Sequence, residues 1–319
     1  MNDEEKLTKN NFIFILIITL IISIVGLIFL ALGLNNKINE FFYDNTIVYV
    51  IFTAIGYIGW NTALIVVLVI ILIIYDVRFA KNLTFALLGS FFLNGILKDA
   101  IQDPTPVTRR EEHGFGFPSG HAQNGVVIWG NLSYHAYKKE NKYVPWIFLI
   151  LIYLVSTSRI LCGAHDIDDV VGGLLIGIAF LLSFIYLEPI LTERINRFNL
   201  NIKLVFAIVI PIILFIIAIL IFPNSENDYG LICGAAIGLS VGYLFECKYV
   251  KYDPNELNNK QKLINLIIGL LIVLVLYVLL DFLVPLESQI WKFFEYLIIT
   301  LVSILLVPWI FQKIRRKNE

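Results

Sequence analysis

The sequence predicts an all-α, polytopic membrane protein, and three observations support this fold class. Of 319 residues, 58% are hydrophobic and only 15% are charged, whereas a typical soluble domain is about 45–50% apolar and about 25% charged. The apolar residues form runs of about 20, the length that a helix needs to cross a hydrocarbon core about 30 Å thick. The 24 Lys and Arg nearly balance the 25 Asp and Glu, so no basic field favours nucleic acid. The three cysteines lie in or beside apolar stretches without metal or disulfide spacing, which excludes a secreted disulfide scaffold.

Ten transmembrane helices are predicted along the chain. The first apolar run is too long for the hydrophobic region of a signal peptide and has no small-residue cleavage site, so we expect it to remain as an anchor. Two runs are less regular: 119–136 starts with polar residues and 229–247 is rich in glycine. Both are continuous enough in small and apolar residues to pack inside a bundle. The ten ranges are 11–33, 48–74, 79–101, 119–136, 144–161, 169–190, 203–222, 229–247, 263–284 and 293–311.

The basic residues predict how these helices are oriented. With the N-terminus inside, eighteen of the 24 Lys and Arg fall on the inner side and near helix ends, as the positive-inside rule requires. We therefore expect a multi-pass protein of the plasma membrane with both termini in the cytoplasm. The six exceptions on the outer side are Lys37, Lys98, Arg109, Arg110, Arg159 and Lys292.

Two polar segments at predicted outer helix ends, 98–121 and 158–169, contain four of these exceptions. Ionisable groups at membrane depth are costly and usually face an interior or an aqueous cavity. The run 118–121, Pro-Ser-Gly-His, has the residue types of a helix start. The free N–H groups of such a start favour a phosphate, and Lys98 and Arg159 can add cations, the arginine with bidentate geometry.

The second polar segment predicts an oriented histidine. Asp169 follows His165 by four residues, so on a helical turn its carboxylate can reach one imidazole nitrogen and leave the other basic. Such an imidazole is a plausible nucleophile, and His121 can then protonate the leaving oxygen. No group of Asp, Glu and His has the ligand set of a catalytic zinc site, so we expect neither a metal nor another cofactor.

These segments resemble the type 2 phosphatidic acid phosphatase family, the membrane lipid phosphatases that share their site with vanadium haloperoxidases. The family pattern is K-x6-R-P, then P-S-G-H, then S-R-x5-H-x3-D. The last two elements match in full at 118–121 and 158–169, and the first runs from Lys98 to Pro106. The resemblance covers roughly residues 10–190. It implies a six-helix phosphatase bundle, followed here by about four further transmembrane helices.

The resemblance also implies a reaction, the metal-independent hydrolysis of a phosphate or diphosphate ester on a membrane lipid. In the family mechanism His165 forms a phosphohistidine, Asp169 holds it, and His121 moves the proton. The predicted topology puts this site at the outer face, which favours a recycled polyprenyl diphosphate, with phosphatidic acid or another lipid phosphate as the close alternative. The phosphate-binding positions of the family correspond to Lys98, Ser119, Gly120 and Arg159.

The first element departs from the family at Thr105, where the pattern has arginine. One interpretation is that Arg109 or Arg110 supplies the missing guanidinium as a substitute phosphate ligand. The other is a non-catalytic family member that binds lipid phosphates or a partner. A transporter is disfavoured, because the polar groups cluster at one face rather than at mid-membrane.

The sequence divides into two predicted domains, a phosphatase domain at 1–197 and a C-terminal transmembrane block at 198–319. The second block repeats none of the motifs of the first. Its sequence leaves three roles open: bracing the catalytic bundle, forming a lipid groove, or forming the interface of a homodimer.

Overall fold

The computed structural model describes residues 46–59, 61–103, 114–283 and 288–318 and parts of 21–33. Within these ranges every regular element is helical, which confirms the predicted fold class. The helices are α1 (Thr46–Gly56), α2 (Asn61–Ile74), α3 (Val77–Ile101), α4 (Gly120–Lys138), α5 (Val144–Leu161), α6 (Ile167–Asn196), α7 (Leu200–Ile221), α8 (Tyr229–Phe245), α9 (Asn259–Leu283), α10 (Gln289–Leu301) and α11 (Val307–Asn318). Two π-helical turns, Glu246–Val250 and Val302–Leu306, follow α8 and α10.

Seven helical segments of the described ranges are long and apolar enough to cross a membrane, and counting 46–59 with 64–74 as one broken span gives eight. They confirm seven of the predicted helices, those from 79–101 onward except 119–136. The predicted helix 11–33 lies mostly outside the described residues. The protein is therefore a multi-pass membrane protein.

The structure differs from the prediction over 48–74, which divides into α1, a 3-10 turn at Tyr57–Gly59, and α2. Gly56, Gly59 and Asn61 surround this break, and glycine and asparagine are weak helix formers. The apolar run is continuous, so composition alone hid the interruption.

The predicted helix 119–136 exists as α4, but it is missing from the segments apolar enough to span a membrane. Its polar residues Gln123, Asn124, Asn131 and Ser133 are buried by protein. A helix enclosed by other helices need not match lipid on its surface, because its polar groups can find partners there. Asn131, for example, donates to the carbonyl of Val127 at 3.0 Å.

The chain forms two compact units, each assembled from two segments. The first comprises Met1–Trp60 and Ala100–Leu182, and the second comprises Asn61–Asp99 and Ser183–Glu319. Because each unit combines distant parts of the chain, packing does not test the predicted division at residue 197, which stays a prediction.

In the first unit, glycines of α6 allow a close approach to α4. A Cβ added at Gly173 would lie 2.6 Å from the carbonyl oxygen of Ser119, and one at Gly177 would lie 2.7 Å from that of Gln123. Glycines spaced by four residues bring helix backbones together in membrane bundles. This contact places the start of α4 beside the first turns of α6.

In the second unit, α8 is the central helix and packs against α7 and α10. A Cβ at Gly230 or Gly234 would overlap the carbonyl oxygens of Gln289 and Phe293, and two further glycines of α8, Gly238 and Gly242, continue this contact. The buried core beside it is aromatic and aliphatic. Its members include Phe215, Tyr229, Cys233, Ile237 and Phe293.

We expect Gly177→Ala to destabilise the protein, because the added methyl group would press on the Gln123 carbonyl of α4. Overpacking of this kind typically costs about 1–3 kcal/mol. Gly125→Ala is the matched control, since a Cβ there would meet only Trp129 at an ordinary 3.9 Å. Thermal unfolding of the purified protein in detergent should show a lower midpoint for Gly177→Ala alone; equal midpoints would contradict this account of the α4–α6 contact.

Candidate active site

The buried pair of His165 and Asp169 is the centre of the candidate site. His165 Nδ1 lies 3.0 Å from Asp169 Oδ2, and the two side chains are 2% and 1% exposed. The backbone N–H of Asp166 donates to the same carboxylate oxygen at 3.2 Å. In the tautomer whose Nδ1–H donates to the carboxylate, Nε2 is the basic nitrogen of the neutral ring. The contact that the spacing of four residues predicts is present, and the orienting role of the carboxylate stays a prediction.

A tight turn between α5 and α6 carries His165. Gly163 has a positive φ of 73°, a conformation that glycine adopts without strain. The backbone N–H groups of Ala164 and His165 then donate to the carbonyl of Arg159 at 3.0 and 3.1 Å. These bonds satisfy the end of α5 and bring Arg159 and His165, both named by the sequence pattern, into one turn.

The start of α4 supplies the other half of the site. Ser119 occupies the N-cap position of α4, but its hydroxyl makes no capping hydrogen bond. This hydroxyl is fully buried and has no hydrogen-bond partner among the described residues. Since a buried hydroxyl without a partner costs free energy, Ser119 Oγ is a suitable group to bind a ligand. The helix start that the run 118–121 predicts is present, with Gly120 as the first helical residue.

A backbone hydrogen bond joins the two halves of the site. The N–H of Ser119 donates to the carbonyl of Asp169 at 3.0 Å, and the ring of Phe117 packs where Gly172 has no side chain. The N-terminus of α4, with its partly positive N–H groups, is therefore fixed next to the His165–Asp169 pair.

Arg159 and His121 pack against the segment that ends α1. Arg159 is 6% exposed, and a Cβ at Gly56 would lie 2.7 Å from its Nη1. A Cβ at Gly59 would lie 3.3 Å from His121 Cδ2. These glycines contact both predicted site residues, so the first unit brings Ser119, His121, Arg159, His165 and Asp169 into one bundle.

Three glycines of the site, Gly56, Gly59 and Gly116, were absent from the sequence prediction. A Cβ at Gly116 would lie 3.2 Å from Asp103 Oδ2 and 3.0 Å from Asp169 Oδ2. The signal that could have indicated Gly56 and Gly59 is their position inside an otherwise apolar run, where glycine weakens a helix. Contact with a particular side chain across the bundle has no local signal in the sequence.

Several predicted residues remain predictions. Lys98 lies in the last turn of α3 and belongs to the second compact unit. Thr105, Arg109 and Arg110 lie outside the described residues, so the proposed substitution by the loop arginines is not tested. In the part of the chain that the structure describes, no group of three or more His, Cys, Asp or Glu could hold a metal ion.

Acidic side chains surround the turn before α6. Burial and the neighbouring Asp168 and Asp103 raise the pKa of Asp166 to about 6. Burial, followed by the charge of Asp168, also raises the pKa of Asp103. The backbone N–H of Asp166 donates to Asp169, so Asp166 supports the position of that carboxylate.

The arrangement suits transfer of a phosphoryl group to a histidine. A basic imidazole nitrogen, a helix N-terminus, a buried hydroxyl and a guanidinium are the groups that such a transfer uses to attack phosphorus and to stabilise its oxygens. Residues 79–193 match the model of the PAP2 superfamily, and residues 230–319 match that of the PAP2 superfamily phosphatase transmembrane extension. The chain belongs to the PAP2 superfamily. The predicted family membership is confirmed, and the protein is a membrane phosphatase of the PAP2 type.

Two curated proteins and one solved structure are similar to the chain. The chain is 29% identical over 161 residues to phosphatidylglycerophosphatase B of Bacillus subtilis (strain 168), covering 47% of this chain and 77% of that protein. It is 26% identical over 123 residues to lipid phosphate phosphatase delta of Arabidopsis thaliana, covering 33% of this chain and 30% of that protein. A crystal structure of a transmembrane PAP2 type phosphatidylglycerolphosphate phosphatase from Bacillus subtilis aligns with a TM-score of 0.45 and 22% identity, covering 59% of this chain and 98% of that one.

We expect the stability of the protein to fall as pH rises from about 4 through about 6, in part because of Asp166. Its folded pKa of about 6 lies above the value near 3.9 of an unfolded chain, so the folded state binds more protons in this window. Asp166→Asn removes this contribution and should flatten the dependence of the unfolding midpoint on pH. The exposed acid Glu226 provides the control Glu226→Gln; the same flattening in both variants would exclude Asp166 as its source.

Proposed function

We propose that the protein hydrolyses a phosphate or diphosphate ester of a membrane lipid through a phosphohistidine intermediate on His165. The buried hydrogen bond between His165 and Asp169 is the observation that carries the proposal. It leaves Nε2 as the nucleophilic nitrogen, in a chain of a phosphatase family.

In the first step, the lone pair of His165 Nε2 forms a bond to phosphorus while the bond from phosphorus to the ester or bridging oxygen breaks. The departing oxygen takes a proton from His121, which acts as the general acid. The imidazolium that forms is stabilised by the negative charge of Asp169. The products of this step are the dephosphorylated lipid and a phosphohistidine.

In the second step, a water molecule attacks the phosphorus and gives its proton to the now neutral His121. The bond between phosphorus and Nε2 breaks, and its electron pair returns to the imidazole. Inorganic phosphate leaves, and both histidines regain their starting protonation states. No electrons are exchanged with another molecule, so the reaction needs only the lipid phosphate and water.

The non-bridging oxygens need groups that match their growing charge. Ser119 Oγ, the N–H groups at Gly120 and the guanidinium of Arg159 are the candidates in the first unit, and the family pattern adds Lys98. The Ser119 hydroxyl, which has no hydrogen-bond partner in the described part of the chain, supports this assignment.

The substrate is proposed as a lipid with a terminal phosphate or diphosphate at the outer face of the membrane. The named relatives act as phosphatidylglycerophosphatase and lipid phosphate phosphatase, which supports a glycerolipid phosphate. The predicted topology supports a recycled polyprenyl diphosphate. Phosphate release from both substrate types, measured on the purified protein in mixed micelles, compares the two.

The central test is the loss of turnover in His165→Ala. With 32P-labelled substrate, the wild type should retain label as an acid-labile phosphohistidine, and His165→Ala should not.

We expect Ser119→Ala to lower kcat/KM by roughly 10- to 100-fold, because it removes one donor to the phosphate. Activity should persist in EDTA. Ser158→Ala is the matched control, since that hydroxyl already donates to the Val155 carbonyl at 2.6 Å. Turnover that survives in His165→Ala would refute the mechanism.

A non-catalytic lipid-phosphate binder is the second candidate, and it rests on Thr105 in place of the family arginine. If the loop arginines compensate, Arg109→Ala with Arg110→Ala should lower turnover by about tenfold or more, and adding Thr105→Arg should restore it. Lys142→Ala, at an exposed cation elsewhere, should have no effect. An inactive wild type that gains turnover only with Thr105→Arg would instead favour the non-catalytic role.

The outward orientation has its own test in intact cells. A cysteine introduced at Thr108 should react with an impermeant thiol reagent before permeabilisation. The natural Cys247 is exposed and lies on the predicted cytoplasmic side, so it should react only after permeabilisation. The opposite order of labelling would reverse the assigned leaflet.

A further inference from the structure

A buried carboxylate in the second unit is held by three hydrogen bonds. Asp99 is 5% exposed and lies in the last turn of α3. Its Oδ2 accepts from the hydroxyls of Ser225 and Tyr229, each at 2.6 Å, and its Oδ1 accepts from the Asn227 amide at 2.8 Å. Burying a carboxylate is costly unless donors replace the lost water, and these three donors come from one short segment, 225–229.

The segment 225–229 is fixed to the helices of the transmembrane extension. Gln289 donates to the carbonyl of Asn227 at 2.7 Å and accepts from the N–H of Gly230 at 2.9 Å. Lys292 pairs with Asp228 at 2.6 Å. The donors to Asp99 are therefore held by α8 and α10 rather than by a free loop.

The surface of α3 packs closely against segment 225–229. A Cβ at Gly95, one turn before Asp99, would lie 3.2 Å from Asn227 Cβ and from Tyr229 Cε1. The ring of Tyr229 is fully buried and meets Phe92 edge to face at 5.6 Å. Gly95 thus provides the space in which segment 225–229 approaches α3.

The hydrogen bonds to Asp99 stabilise the last turn of α3, a part of the helix that would otherwise be weakly held. The helix ends at Ile101, followed by Gln102 with a positive φ of 53°. The last turn of a helix lacks its own hydrogen-bond partners and frays most easily. Lys98, the lysine of the family pattern, lies in this turn directly before Asp99.

We infer that segment 225–229 of the second unit positions Lys98 for phosphate binding by holding Asp99. Asp99, Asn227 and Tyr229 are positioning residues, since they act through the turn that carries Lys98. The inference rests on the proposed function in one respect, namely that Lys98 binds the substrate phosphate. It assigns a role to the part of the chain that the catalytic motifs do not reach.

Tyr229→Phe tests the inference, because it removes the hydroxyl and keeps the ring. We expect a roughly tenfold weaker affinity for inorganic phosphate, measured by the phosphate-dependent rise of the unfolding midpoint. The KM for the lipid substrate should rise by a similar factor with kcat nearly unchanged, as expected when ground-state binding is lost. Ser225→Ala is a second variant, which removes the other hydroxyl that donates to Asp99 at a less buried position, to be used if Tyr229→Phe does not fold.

Tyr252→Phe is the matched control. It also deletes a buried tyrosine hydroxyl of the second unit, one that donates to the carbonyl of Ile73 at 2.9 Å. We expect it to lower stability without changing phosphate affinity or KM. Equal effects of the two variants on phosphate affinity would overturn the inference and reduce the Asp99 cluster to a structural anchor.

The decisive comparison is a double-mutant cycle with Lys98→Ala. Once Lys98 is absent, Tyr229→Phe should weaken phosphate binding no further, because coupled residues are not additive. Additive losses would overturn the inference, and so would an unchanged phosphate affinity in Lys98→Ala. The proposed function is judged separately, and a loss of turnover in His165→Ala upholds it. Since phosphate affinity is measured without turnover, an inactive wild type would count against the proposed function alone.

Discussion

Asp169 is the residue on which the arrangement of the first unit depends, because it is bound from three directions. Its carboxylate meets His165 and the N–H of Asp166, while its carbonyl accepts from Ser119. One residue at the start of α6 thereby fixes a histidine from the preceding turn and the N-terminus of α4. Asp169 is buried, and both of its side-chain hydrogen bonds are made by Oδ2, whereas Oδ1 has no hydrogen-bond partner among the described residues. The bonds that Asp169 makes therefore define the geometry available for chemistry.

Glycine is the second requirement of this architecture. The site needs polar groups brought close together inside a bundle whose outer surface faces lipid, and side chains between the backbones would prevent this. Gly173 and Gly177 let α6 approach α4, while Gly56 and Gly59 make room for Arg159 and His121. Small residues also serve association in lipid, where apolar surfaces alone provide little driving force between helices. In this protein the same residue type thus supports both folding and the site.

The sequence predicted the fold class, most helices and the His165–Asp169 contact for physical reasons. Long apolar runs have few alternatives in a membrane, and a spacing of four residues is local, so a single helical turn decides it. The break at Gly56–Gly59 escaped prediction, because it depends on which neighbours enclose the helix. The hydrogen bond from Ser119 to Asp169 joins residues far apart in the chain, and so do the hydrogen bonds from Asn227 and Tyr229 to Asp99. No local sequence pattern encodes such pairs.

The glycines of α8 have a mechanical consequence. Gly230, Gly234, Gly238 and Gly242 recur every four residues; the first three lie against the backbone of α10, and Gly242 lies against the side chains of Leu301 and Ile304. A slide of α10 by a fraction of a turn would drive larger side chains of α8 into carbonyl oxygens, so displacement is restricted to steps of about one turn, or about 5.4 Å. The two helices consequently form one closely packed pair. Because Gln289 and Lys292 of α10 bind the segment whose side chains hold Asp99, a displacement of this pair would also displace the donors to Asp99.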